Sequence, residues 1–361
     1  MGGPDFGDPV TLAQLARPEE AESEESVIGA DGLVPVALGI EIGGTKLQSA
    51  VVAADGRVLL RRSDRVDPTG GAEGIRTVLA AQIAGIVDDA PGNGLAIRAI
   101  GIGFGGPVNR EQGVVATSFH VGGWSDFPLA AWVAGQVEGA LGPVPVVLEN
   151  DSNAATLGEA LVGAGQGARV VVYSNAGSGI GSGLVIDGRL YRGRPSGEME
   201  LGHLRLLPGG GILEDSSAGW AIDRSVREAV AAEPAGILAR EAATTGAVPS
   251  ARLLPAALAA GDTTAERILN AAAGPYAHAL SHVVHLLNPD VIVLGGGVAT
   301  IGEPWRGSVA RQLEGFLMTP LQPSPPVRLA TLGEDVVPVG AALAALATLG
   351  AAIDPSRSPA S

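Results

Sequence analysis

Two strand pairs, each interrupted at its tip by glycines, constrain this chain more than any other feature. In the first, "GIEIGGTKLQSAVVAADGRVL" from Gly39 to Leu59, an apolar strand breaks into Gly-Gly-Thr-Lys and then resumes. In the second, "ARVVVYSNAGSGIGSGLVIDGRLYRG", an apolar strand breaks into Gly-Ser-Gly and resumes in the same way. Each pair is followed by segments of alternating helical and strand character, so the chain reads as α/β. The echo between the hairpins at 36–62 and 169–190 predicts a duplicated lobe with a cleft between the copies, a usual place for a ligand.

The 361 residues fit two domains or one large one. Aromatic residues make up only 3%, so the core must be built from Ala, Val, Leu and Ile. A formal net charge of −15 opposes binding of nucleic acid or anionic membranes, and an anionic ligand would need backbone N–H groups or a metal ion to hold it. The absence of cysteine excludes disulfides, thiolate nucleophiles and cysteine-held metals. No secretory signal is read, and no uninterrupted apolar run is expected to reach membrane-spanning length, which makes a cytoplasmic protein the expectation. The division expected is an acidic disordered tail over 1–34, an N-terminal α/β lobe over 35–150, a C-terminal α/β lobe over 151–348 and a short disordered end over 349–361. The last helix is allowed to pack back on the first lobe.

The glycine turns are the first candidates for chemistry. "EIGGTK", Glu41 to Lys46, offers bare N–H groups, a hydroxyl and the chain's only lysine, which suits phosphate oxygens; an ordinary hairpin turn explains it as well. In "SNAGSGIGSG" the alternating glycines 177, 179, 181 and 183 sit badly in a strand, so close approach of a polyanion is expected, with structural bulges as the alternative. "VIVLGGGVA" places Gly295, Gly296 and Gly297 between a strand and a helix, where nucleotides dock on open α/β sheets. "GIGFGG" matches GxGxxG, but Pro107 follows and no helix opens there.

Polar candidates cluster in two segments. "VVLENDSNAATLGEAL" puts Asn150 and Asp151 at a strand end and helix start, where either residue could cap the helix, and where a carboxylate facing the cleft could take a proton from a hydroxyl. "GEMELGHLRL" offers Glu198, Glu200 and His203 in a tight segment. His278, His282 and His285 follow helical spacing and read as a helix face more readily than as a metal triad.

Together these stretches resemble the ROK family of sugar kinases, within the actin-like, hexokinase-like ATPase superfamily, over residues 36 to about 348. The two hairpins resemble its phosphate motifs, "LENDSNAATLGEAL" its catalytic-aspartate segment, "GEMELGHLRL" its sugar-binding Glu-x-Gly-His stretch, and "LNPDVIVLGGGVA" its adenosine motif. The resemblance implies two actin-like ATPase lobes of duplicated ribonuclease-H-like topology around a central cleft. It implies ATP-dependent phosphorylation of a hexose hydroxyl, usually O6, with Asp151 as general base. Asn150, Glu200, His203 and Glu214 would hold the sugar, with Gly106 and His120 beside them. Gly43, Gly44, Thr45 and Lys46 would meet the ATP phosphates, with Gly177, Ser178 and Gly179 opposite and Gly295, Gly296 and Gly297 beneath adenosine. Mg2+ is the implied metal, with Glu41 as a contact through water, and a homodimer is a family expectation.

The sequence departs from the family pattern in four places. Glu41 stands where Asp is usual. The cysteine zinc loop is replaced by "LLPGGGILEDSSAGW", so no zinc is expected. His120 occupies a usual sugar-contacting Asn, and "SNAGSGIGSG" replaces the commoner Thr-Gly opening. Two other classes stay open: a non-catalytic sugar-binding protein of this fold, and a sugar-responsive regulator, against which stand the acidic residues that precede the first motif in place of a DNA-binding domain.

Overall fold

The computed structural model describes residues 32–44, 46–118, 121–194, 199–246 and 248–353. Thr45, His120 and Glu198 lie outside these residues, as do most of the two expected tails. The first sheet contains β1 (Val34–Ile42), β2 (Lys46–Val52), β3 (Val58–Arg65), β4 (Leu95–Phe104) and β7 (Val146–Asn150) in the order β3-β2-β1-β4-β7. A two-stranded ribbon, β5 (Val108–Asn109) and β6 (Val114–Val115), interrupts it in sequence. The second sheet contains β8 (Val170–Ala176), β9 (Ile180–Ile186), β10 (Arg189–Leu190), β11 (Val291–Gly295) and β12 (Val327–Leu329), ordered β10-β9-β8-β11-β12. Numbered within each sheet, both follow 3-2-1-4-5, with an antiparallel hairpin on one side and parallel strands on the other. The duplication expected from the two hairpins is therefore present in the strand order.

The helices are α1 (Gly71–Gly92), α2 (Leu129–Leu141), α3 (Asp151–Val162), α4 (Glu214–Ser217), α5 (Gly219–Ala232), α6 (Ile237–Thr245), α7 (Leu254–Ala259), α8 (Thr263–Leu287), α9 (Gly296–Ala299), α10 (Glu303–Phe316) and α11 (Val336–Ile353). Strands β1 and β4 are apolar on both faces and almost wholly buried, as central parallel strands must be. β3 carries Arg61, Arg62, Asp64 and Arg65, the charged exposed pattern of an edge strand. α3 begins where it does because Asn150 caps it: its Oδ1 accepts from Ser152 N at 2.9 Å and Asn153 N at 3.1 Å.

α11 joins the two halves of the molecule. It lies across β1 and β4 of the first sheet and against α3, with Val339, Ala341, Ala342 and Ala345 buried. The approach is backbone to backbone. A methyl at Gly39 would stand 1.9 Å from Pro338 O, one at Gly101 1.8 Å from Ala341 O, and one at Gly340 1.7 Å from Ala154 O. Here glycine does the work that aromatic side chains do in other cores: it closes gaps by letting elements approach. The stretch Gly333–Gly350, most of it in α11, is long and apolar enough to cross a membrane, so the expectation that no such run exists fails there; half of it is buried, which marks it as a core helix. It also runs through Ile353, inside the stretch 349–361 expected as a tail.

One buried carboxylate ties α11 to the second sheet. Glu159 on α3 is fully buried and accepts Thr331 N and Leu332 N, each at 2.9 Å, and Ala164 N at 2.7 Å. These bonds hold the segment that leaves β12 and enters α11.

Candidate active site

Strand register places the site. Ile42 pairs with Phe104, and Phe104 with Asn150, so β1, β4 and β7 end together at one edge of the first sheet. In the second sheet Gly295 pairs with Asn175, which brings the end of β11 beside the tip of the β8–β9 hairpin. Both sheets thus present glycine turns at the carboxyl ends of parallel strands, where an open α/β sheet leaves a crevice.

Asp151 stands at the first of these edges. A methyl placed on Gly105 would lie 3.4 Å from Asp151 Oδ2, 3.4 Å from Ile42 O and 3.5 Å from Gly43 Cα. The carboxylate therefore borders the first glycine turn with only a glycine between them. Its Oδ1 accepts Ser152 N at 2.8 Å and lies 3.4 Å from Ser152 Oγ, a hydroxyl that is itself 3.2 Å from Asn175 Oδ1. A short polar chain thus runs from Asp151 to the base of the second glycine hairpin. Burial pushes the Asp151 carboxyl up to about 6; the bonds from Ser152 oppose this and the negative charge of Glu200 adds to it. Glu200 is exposed, yet its field reaches Asp151.

Glu41 and Lys46 form the second feature of this edge. Lys46 Nζ is 3.1 Å from Glu41 Oε2 and donates to Glu334 O at 2.8 Å. Gln48 Nε2 and Arg61 Nη1 hold the neighbouring Asp335, which fastens the hairpin to the turn before α11. Burial raises Glu41 to about 7; Lys46 opposes the rise, and Asp151 and Glu334 add to it. Glu41 Oε2 is buried with the Lys46 ammonium as its partner, and the charges of Asp151 and Glu334 close by make this edge acidic, which a hard cation would suit. Among the described residues no three carboxylate or histidine side chains gather into a complete metal cage. That donor set suits an ion carried mainly by phosphates and water, such as Mg2+. Lys46, expected to reach phosphate, has its amine engaged here with Glu41 and Glu334 O, because the buried Glu41 carboxylate lies within reach.

The second edge is built around Glu214. Its Oε1 accepts Ile180 N at 2.7 Å, and a methyl on either Gly179 or Gly202 would sit 2.8 Å from that oxygen. Gly219 N donates to Gly177 O at 2.8 Å, a second tie from the α4–α5 region to this hairpin. Gly177 and Gly297 approach until a methyl on the former would be 3.9 Å from the latter's N, so the second and third glycine turns face one pocket wall. Ser178, Gly296 and Gly297 are exposed, whereas Gly295 is buried against Tyr173.

Several sequence expectations change in detail. Gly181 and Gly183 are interior residues of β9, not polyanion contacts. α3 presses on that strand, so that methyls there would stand 2.0 Å from Ser152 Oγ and 2.2 Å from Thr156 Oγ1. Asn150 is the α3 cap, and its Nδ2 donates to Gly106 O at 3.3 Å. Glu214 holds the second hairpin. Segment 199–203 is stapled to β9 by Ser182 Oγ, which donates to Met199 O, while His203 is exposed. His278 stacks on Phe316 and touches His282, so those histidines belong to a helix face as expected. Sequence reasoning missed Gly105, Ser152 and Asn175. For Gly105 a signal existed, since it lies in the GxGxxG match that was set aside; for the other two there was none.

With this geometry in view, comparison with known proteins is specific. A family model described as the ROK family matches residues 37–348. A glucokinase from Thermotoga maritima is 30% identical over 313 residues, covering 84% of this chain and 95% of that protein. A glucokinase from Streptomyces coelicolor is 32% identical over 324 residues, covering 84% and 96%. The crystal structure of a ROK family glucokinase from Streptomyces griseus in complex with glucose and AMPPNP superposes with a TM-score of 0.73 at 31% identity, covering 86% of this chain and 99% of that one.

Proposed function

The chain belongs to the ROK family, and on that premise we propose that it transfers the γ-phosphoryl group of ATP to a hexose hydroxyl, O6 of glucose or a related hexose, with Asp151 as general base. It is a glucokinase-like sugar kinase with the actin-like ATPase fold. The observation that carries the finer reading is the place of Asp151 Oδ2, beside Gly105 and the first glycine turn. A base there meets an acceptor hydroxyl at the point where a terminal phosphate would lie.

In this reading the hexose enters from the side of Asn150, Gly106, Glu200 and His203. Asp151 accepts the hydroxyl proton as the new P–O bond forms. Backbone N–H groups at Gly44, Ser178 and Gly179 line the phosphate path, Gly43 and Gly177 border it with their own N–H groups closing the turns, and Gly295, Gly296 and Gly297 support the nucleoside. Glu41 would hold Mg2+ through water, and the bound ion would neutralise charge on the phosphates. Lys46 keeps Glu41 and the hairpin tip in place. The lobes are divided at 150/151 in this proposal, which puts Asp151 where the two parts meet.

The test is a panel of hexoses with ATP and Mg2+, the products read by mass spectrometry. Phosphorylated hexose is expected, and Asp151→Ala should lower turnover by about 10²-fold or more. A wild-type chain that binds hexose and leaves ATP intact would mark the non-catalytic reading as the right one.

A further inference from the structure

Directly beneath the Asn150–Asp151 junction lies a carboxylate that the proposed chemistry does not use. Glu149 is 1% exposed. Its Oε2 accepts both Arg192 Nη2 at 2.9 Å and Arg192 Nε at 3.2 Å, and lies 3.4 Å from Arg110 Nε. Its Oε1 accepts Asn153 Nδ2 at 3.2 Å and Asn150 N at 3.3 Å. A buried carboxylate needs one cation, and this one has two; each arginine is only about a third exposed on its side chain. Burial lowers the Arg110 pKa and the nearby Arg192 adds to this, while Glu149 and Glu111 oppose it. Two like charges drawn together on one buried carboxylate call for a reason.

Their positions in the chain supply one. Arg110 sits in the turn between β5 and β6, just after Gly106, whose carbonyl takes Asn150 Nδ2. Arg192 follows β10 and leads toward Met199, Glu200 and His203. Glu149 itself precedes Asn150. The three segments that meet on this carboxylate are the three proposed to face the sugar. The glycine turns proposed for phosphate have separate anchors, in Gly43 N to Lys46 O, Gly177 N to Gly179 O and Gly219 N to Gly177 O.

We propose that Arg192, with Arg110, acts as a positioning residue through Glu149, holding the sugar-facing segments in register with Asp151 and leaving the nucleotide side independent. The inference rests on the kinase reading above. Removing the Arg192 fork leaves the buried Glu149 under-partnered, and Glu149 then holds Asn150 N and Asn153 Nδ2 less firmly, so hexose affinity at Asn150 and Asp151 suffers while nucleotide affinity does not.

The experiment compares full-length wild type, Arg192→Gln, Arg192→Lys and Arg110→Gln, using steady-state kinetics and calorimetric glucose binding without ATP. Arg192→Gln should raise the glucose Kd and hexose KM about tenfold or more, the size of a lost charged hydrogen bond, while the ATP KM shifts less than about twofold. Arg192→Lys, which keeps the charge and loses the fork, should recover part of the loss. A merely structural role would move both substrates' constants together or only lower Tm, and that pattern overturns the proposal. If Arg192→Gln does not fold, the Arg110→Gln variant must show the same split in smaller measure, and its absence there overturns the proposal equally. A wild type that phosphorylates no hexose refutes the kinase reading and takes this inference with it, whereas an active kinase whose Arg192→Gln variant keeps wild-type glucose constants refutes the clasp alone.

Discussion

Replacing Asp151 by Asn should make this protein more stable and nearly inactive, with a pH signature that separates the two effects. In the folded chain the carboxyl is raised from 3.8 to about 6, chiefly by burial. The folded state therefore holds the proton more tightly than the unfolded state. The penalty for the charged carboxylate is present above pH 6, shrinks as pH falls through that value, and vanishes below the unfolded pKa. Raising the carboxyl from 3.8 to about 6 corresponds to about 3 kcal/mol, and because the side chain is only half-buried about 1–3 kcal/mol is the reasonable range. The α3 dipole favours a negative charge at its first residue, but by only about 0.3–1 kcal/mol, so burial wins. Asn keeps the oxygen that accepts Ser152 N. For a chain of this size the gain amounts to about 1–4 °C in Tm at pH 8. Calorimetric melts of both proteins at pH 8 and pH 4.5, alongside kcat at pH 8, test the argument. The expected result is a higher Tm for the variant at pH 8, a difference that shrinks at pH 4.5, and a kcat lowered by about 10²-fold or more. An unchanged or lower Tm at pH 8, or an equal gain at both pH values, refutes the burial argument.

The remaining expectations follow from particular contacts. Because Asp151 must be ionised to act as base, kcat/KM should fall below pH 6, to about a tenth of its plateau at pH 5, whereas an ordinary aspartate would stay active; a flat profile down to pH 5 removes it as base. Gly181→Ala places a methyl 2.0 Å from Ser152 Oγ and should cost about 1–3 kcal/mol by urea denaturation, with partial rescue by Ser152→Ala in a double-mutant cycle. Glu159→Gln turns one of the two accepting oxygens into an NH2 group that faces either Ala164 N–H or the Thr331 and Leu332 N–H pair, so thermal melts should show a loss of about 1–3 kcal/mol. Dialysis against EDTA should leave Tm in place while kinase activity disappears until Mg2+ is returned; a large drop in Tm would point to a structural metal.

Much of the architecture was legible in one dimension. The apolar runs of β1, β4, β8 and β11, the Asp55-Gly56 turn and the helical period of α8 are local signals, set by backbone propensity and side-chain periodicity. Repetition of the hairpin was enough to expect two similar halves, and Asn150 and Asp151 at a strand-to-helix boundary marked the right junction. Ambiguity began wherever one residue type serves two purposes. Alternating glycines at 177, 179, 181 and 183 look alike in sequence, yet the first two lie in a turn and the last two lie under α3. Lys46 looked like a phosphate ligand, and no local signal showed that Glu41 and Glu334 O would also lie within its reach.

What the amino-acid order determined by itself was the alternation of the main strands and helices, the duplicated hairpins and the excess of negative charge, while short elements such as β5, β6, α6 and α7 left no clear local signal. Only the tertiary structure decided which glycines admit another backbone, which carboxylates are buried, and which distant groups meet them. Glu149 joins Arg110 to Arg192, and Glu159 joins α3 to the start of α11, across separations that no local pattern encodes. Burial is the physical reason: a carboxylate's pKa and partners depend on the water removed from around it, and that depends on how the whole chain packs.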